Sequence, residues 1–182
     1  MDCGCYVFWD YDDASGRDLD ISGEAYEALL DACFRYTAVF AVTWSFRGYH
    51  AAHGMEGSVF QYCVAEKAVG NGRIRCFFTC CEATRRFLSD SYDCLFGWYW
   101  DGKDRGSLPE DLAFYRGDGS CFFTSETHEG HCYLYPRGEE DVSAVVNTEG
   151  WDRAPAGDGP PDAQADASRE PSSDCISEPV IE

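Results

Sequence analysis

Residues Thr127 to Cys132 read Thr-His-Glu-Gly-His-Cys, and they hold the densest set of metal-ligating side chains in the sequence. His128, His131 and Cys132 fall within five positions, and Cys121 lies at the start of an apolar run shortly before them. Imidazole nitrogens and a thiolate are zinc ligands, so a site of these four residues would suit a structural zinc or a metal- or thiol-dependent enzyme. A zinc protease needs two histidines four apart on a helix with a glutamate between them. Here the histidines are three apart beside Gly130, so that motif is absent. The competing reading is that His128 and Glu129 end a strand and fix the loop after it.

Other constellations are weaker. Cys3-Gly-Cys5 and the vicinal Cys80-Cys81 lack the two-residue spacing of zinc ribbons and dithiol redox sites. With eleven cysteines and four histidines, some Cys–His proximity is expected by chance, and no local signature selects a nucleophile. Asp10, Asp12 and Asp13 follow the run Tyr6-Val-Phe-Trp9. A strand ending in Asp-x-Asp resembles the opening motif of haloacid-dehalogenase-like phosphatases. That family continues Gly-Thr, whereas this chain continues Asp13-Ala14-Ser15, and the rest of a doubly wound site is missing. An EF-hand loop fails at the same positions.

Trp98, Tyr99 and Trp100 are consecutive, and on a strand of period two they cannot all face inward. Trp and Tyr are enriched at binding hot spots. These three aromatics, with the acids Asp10, Asp12 and Asp13, are therefore the expected partner-binding residues.

Charge sets the class of partner. The 182 residues carry a formal charge of −19, and Asp10 to Asp31 alone hold eight carboxylates against Arg17. Such a surface repels nucleic-acid backbones and anionic membranes and attracts basic proteins. The expected function is a small acidic protein-binding module, inhibitor- or immunity-like, acting on a basic protein or filling the basic groove of a nucleic-acid enzyme. Direct nucleic-acid binding is not expected, and neither is a cofactor other than the zinc considered above.

The elements that must position these residues follow from periodicity. Tyr26, Leu29, Leu30, Cys33 and Phe34 share one helical face, behind Ser22 as a cap and with Glu24 in the first turn. Strands are expected over residues 5–9, 38–46, 58–66, 73–80 and 132–136. Phe40, Val42, Trp44 and Phe46 would share one strand face, with a loop over Gly48 to Gly57. Asn71-Gly72 is a hairpin signal, although residues 65–69 could instead form a helical turn. Residues 81–88 and 140–146 read as short helices. The pattern predicts an α+β fold: a mainly antiparallel sheet with two or three short helices.

The clearest supersecondary unit is Leu112 to Glu126, two apolar-aromatic runs joined through Gly117-Asp118-Gly119. The longer segment Leu108 to Gly130, LPEDLAFYRGDGSCFFTSETHEG, resembles a stretch of small uncharacterised bacterial proteins. Their shared pattern is Pro-Glu-Asp, an apolar-aromatic strand, Asp-Gly, a second strand and then His-Glu. It covers about an eighth of the chain. The resemblance implies a compact hairpin module and brings no activity.

Two units are expected. Residues 1–151 form the compact domain, and 152–182 an acidic tail with five prolines and few apolar residues, which cannot bury enough surface to order itself. The N-terminus, MDCGCYVFWDYDD, has acids where a secretory leader needs bases. Most cysteines sit inside apolar runs, where a thiol acts as a small hydrophobe. A reducing, cytoplasmic setting is the expectation, with no membrane segment.

Overall fold

The chain from Val39 to Ser45 is rich in β-branched and aromatic residues, and it forms a central strand of the sheet. The computed structural model describes residues 4–12, 15–53, 58–97 and 108–154. Ten strands are seen there: β1 Tyr6–Trp9, β2 Tyr11–Asp12, β3 Arg17–Asp18, β4 Val39–Ser45, β5 Cys63–Gly70, β6 Arg73–Thr79, β7 Glu110–Tyr115, β8 Cys121–Glu126, β9 His131–Leu134 and β10 Trp151–Arg153. Four α-helices accompany them: α1 Glu24–Tyr36, α2 Phe46–His53, α3 Glu82–Ser91 and α4 Ser143–Val146.

Eight strands form one sheet in the order β10-β1-β9-β8-β7-β4-β6-β5, with every neighbouring pair antiparallel. The fold class is therefore α+β, as the sequence predicts. β2 and β3 form a separate small hairpin. The last strand runs to Arg153, two residues past the boundary expected at 151. None of the described helices is long and apolar enough to cross a membrane.

The core lies on one face of the sheet. Phe34 of α1 packs against Phe40 and Phe114, with ring centroids 6.0 and 5.5 Å apart. Phe87 of α3 lies 6.4 Å from Trp44, and Phe60, in a 3-10 turn at Val59–Tyr62, meets both Trp44 and Phe78. Val145 of α4 joins the same cluster. The helix stripe expected on α1 is present: Tyr26, Leu29, Leu30 and Cys33 are buried.

Local signals fared unevenly. Gly70 pairs with Arg73 across Asn71-Gly72, whose φ angles of 49° and 67° are those of a type I′ hairpin turn. Residues 65–69 are strand, not a helical turn. Ser22 does not cap α1; Gly23, at φ 54°, occupies that position without a side-chain hydrogen bond. Strand β4 ends at Ser45, whose hydroxyl accepts from the Gly48 N–H at 3.1 Å and starts α2. Phe46 is thereby turned out of the core and 58% exposed, and the expected loop is helical as far as His53.

The opposite face of the sheet carries no described helix. Strand alternation presents there Trp9 from β1 and His131 and Tyr133 from β9, continued by Tyr135. Their rings follow one another at 4.7 Å (Trp9–His131), 5.4 Å (His131–Tyr133) and 6.2 Å (Tyr133–Tyr135). Further across, Arg75 donates to Thr43 Oγ1 and to the Tyr115 hydroxyl, each at 3.3 Å.

Candidate functional site: an acidic groove between two helices

Helix α1 buries one stripe and leaves the other side to carboxylates. Glu24 and Asp31 are exposed on it, and Glu27 is half-buried. Helix α3 lies alongside, and Asp93 follows it. Together with Gly23, Tyr26, Ala28, Ser89 and Tyr92, these four acids line an open groove of about 580 Å³. Among the described residues one base pairs with them. The Arg85 guanidinium donates to Glu27 Oε2 at 2.8 Å and to Asp31 Oδ1 at 2.7 Å.

Among the described residues the four carboxylates of the groove have one guanidinium as ion-pair partner. Burial disfavours the Arg85 charge, but the bonds from Glu27 and Asp31 outweigh it and hold its pKa above the ordinary value. Arg85 is thus held by Glu27 and Asp31. Glu24 and Asp93 make no ion pair with Arg85. At Glu24 and Asp93 the groove offers carboxylates that form no ion pair among the described residues, which suits a cationic side chain.

The four zinc-ligand candidates are not brought together. Cys132 lies opposite Phe8 and Ser125 and is fully buried in the core, where loss of solvent pushes its thiol well up. His131, its neighbour on the same strand, faces the other side, against Trp9. Its Nε2 is 3.8 Å from Glu126 Oε2, while its buried Nδ1 has no hydrogen-bond partner among the described residues. His128 sits in a 3-10 turn, half-exposed, with Nε2 3.4 Å from Glu129 Oε1. Cys121 opens β8 at the end away from Glu126. Its thiol donates to Phe123 O at 3.3 Å and is pushed up to about 12 by burial. Among the described residues no group of three or more His, Cys, Asp or Glu side chains is placed to hold a metal ion.

Of the expected partner-binding residues, Trp98, Tyr99, Trp100 and Asp13 lie outside the described residues. Asp12 is in the β2–β3 hairpin. Asp10 has a structural position. Its N–H donates to Gly130 O at 2.7 Å, its C=O accepts from the Leu19 N–H at 2.7 Å, and its carboxylate lies against the Gly130 α-carbon.

One acid that the sequence reading passed over proved to organise the site. Asp20 accepts from three successive backbone N–H groups: Leu95 (3.2 Å) and Phe96 (3.0 Å) at Oδ1, and Gly97 (2.7 Å) at Oδ2. With the Ser22–Cys94 bridge, this ties the chain after α3 to the entry of α1 and so fixes the end of the groove at Asp93. The only hint in the sequence was an acid next to an apolar isoleucine outside any helix. Comparison of the chain with protein-family models, with curated proteins and with solved structures finds no match.

Proposed function

We propose that this protein is a binding module, and that the groove between α1 and α3 takes a basic segment of a protein partner. The observation that carries the reading is the groove itself: Glu24, Glu27, Asp31 and Asp93, with ion pairs among the described residues to Arg85 alone. The overall charge of −19 acts in the same direction at longer range. Complementary charge of this kind raises association rates and rejects wrong partners more than it adds affinity. An inhibitor that covers the basic groove of a nucleic-acid enzyme would use these properties.

The test is a nuclease-treated pull-down from the native host with the full chain and with the double variant Glu24→Gln, Asp93→Asn. A stoichiometric basic partner, retained at low salt and lost both at high salt and with the variant, supports the proposal. A partner held equally by both proteins, or no partner at either salt, removes the groove from consideration.

A second reading is favoured by the aromatic row on the sheet face that carries no described helix. Trp9 is 48% exposed at its end, and Trp, Tyr and Arg are the residue types that dominate interface energies. If this face carries the contact, Trp9→Ala would abolish capture while the groove variant leaves it intact.

A further inference from the structure

The row Trp9, His131, Tyr133 and Tyr135 lies on the sheet face that carries no described helix. Tyr133 and Tyr135 are its best-aligned pair, with ring centroids 6.2 Å apart and planes 16° from parallel. The same row holds two unmet polar groups. The Tyr135 hydroxyl and His131 Nδ1 are buried and have no hydrogen-bond partner among the described residues. Buried polar groups are as a rule hydrogen-bonded, so each calls for a partner from elsewhere.

The chain itself offers a fitting segment beside this row. Strand β10 is the sheet edge next to β1, and the described residues end just past it, where the Ala154 N–H donates to Cys5 O at 2.9 Å. Tyr135 follows Leu134, the β9 partner of Tyr6, and so stands across from Cys5 on its other side. Neighbouring strands lie about 4.8 Å apart, which leaves about 10 Å between the departing chain and Tyr135. The sequence continues Pro155-Ala-Gly-Asp-Gly-Pro160-Pro161. At about 3.1 Å per residue, an extended chain covers that gap before it reaches Pro160.

We infer that residues 155–161 of this chain fold back over the aromatic row and seat Pro160 and Pro161 on the Tyr133–Tyr135 pair. Consecutive prolines hold the polyproline II conformation, whose carbonyls are left without internal hydrogen bonds, and rows of aromatic rings are the surfaces on which such segments dock. Each pyrrolidine ring lays apolar surface on a tyrosine ring, while a backbone carbonyl accepts from the Tyr135 hydroxyl. A segment that brings its own carbonyls over the face accounts both for the burial of that hydroxyl and for its missing partner. It serves His131 Nδ1 in the same way, in the tautomer that carries the proton there. The tether makes the contact intramolecular, at an effective concentration in the millimolar range, so weak contacts are enough to hold it. Gly157 and Gly159 allow the chain to turn onto the face. The inference is independent of the groove between α1 and α3. It makes the tail the first occupant of the aromatic row, which an outside partner of that face has to displace.

The test is NMR spectroscopy of the isotope-labelled full chain under reducing conditions. The expected result is nuclear Overhauser contacts from the ring protons of Pro160 and Pro161 to those of Tyr133 and Tyr135, unchanged on dilution. The double variant Pro160→Ala, Pro161→Ala alters the tail alone and leaves the domain to fold. It should lose these contacts and shift the Trp9, His131, Tyr133 and Tyr135 signals, while those of Glu24 and Asp93 stay in place. Absence of the contacts in the unaltered chain overturns the inference, whatever the shifts do. Contacts seen only between differently labelled copies in a mixed sample overturn it in favour of a second copy as the occupant. Shifts centred on Glu24 and Asp93 overturn it in favour of the groove as the seat of the tail.

Discussion

Arg116 and Glu140 are joined by two parallel hydrogen bonds, Nε to Oε1 at 2.7 Å and Nη2 to Oε2 at 2.6 Å, beneath the surface of the β7–β8 hairpin. The guanidinium also donates to Cys121 O at 2.7 Å and Tyr135 O at 2.5 Å and lies over the Phe122 ring. Side-chain exposures are 8% and 16%. A planar fork matched to a carboxylate is the geometry for which arginine is suited and lysine is not. The pair ties the hairpin and the end of β9 to the loop that leads into α4.

Removing one partner leaves the other charge buried without compensation. Glu140→Gln is expected to cost about 3 kcal/mol, the lower end for breaking a buried pair, since both groups keep some solvent contact. Urea unfolding should show a lower midpoint at unchanged slope. An unmoved midpoint would show that the pair contributes nothing net.

The same pair sets a pH dependence. Burial disfavours the Glu140 charge, but the bonds from Arg116 and from the Arg137 N–H outweigh it and hold the carboxyl below its ordinary value of 4.5. A depressed carboxylate stabilises the folded state fully above its unfolded pKa and loses that contribution as pH falls through the folded one. Stability should therefore decline below about pH 4.5. The decline should be shallower in Glu140→Gln, read as the urea midpoint against pH. Equal slopes in both proteins would assign the acid sensitivity to other groups.

Gly130 tests the tie between Asp10 and β9. Its φ of 68° is in the left-handed region, and an added β-carbon would stand 2.3 Å from the Asp10 carboxyl group. Gly130→Ala combines backbone strain, about 1–3 kcal/mol, with that overlap. Thermal unfolding should fall by several degrees. Gly117→Ala makes the control, because nothing lies within 4 Å of a β-carbon there.

Much of this architecture is written in short-range signals. The α1 stripe, the Asn71-Gly72 turn and the Arg116–Ser120 connector each depend on a few consecutive residues, and each is where periodicity or turn chemistry puts it. Pairing of β1 with β9 and β10 is different, since it joins chain ends more than 120 residues apart and depends on which apolar faces meet. Alternation alone separates His131 from Cys132, adjacent residues on one strand, which the residue types by themselves do not reveal. Phe46 failed the alternation rule because Ser45 ends the strand with a local hydrogen bond. The groove was partly legible: the exposed acids of α1 follow from its stripe, but their apposition to Asp93 depends on Asp20 holding the chain after α3.

That last dependence gives a prediction that separates stability from binding. Asp20→Ala leaves the N–H groups of Leu95, Phe96 and Gly97 without their acceptor. Losing charge-assisted bonds to three donors should cost at least about 2 kcal/mol. It also frees the segment that carries Asp93, so capture of a basic partner should weaken even at temperatures where the variant remains folded. Glu24→Gln, by contrast, removes a groove charge on a settled helix. Only a few tenths of a kcal/mol should follow from its place in the first turn, with capture weakened chiefly at low salt, where charge acts over the longest range. Measuring both variants for urea midpoint and for capture at two salt concentrations distinguishes the roles. If Asp20→Ala loses stability yet binds like the unaltered chain, the position of Asp93 is irrelevant to recognition, and the basic partner must be met by the α1 acids alone.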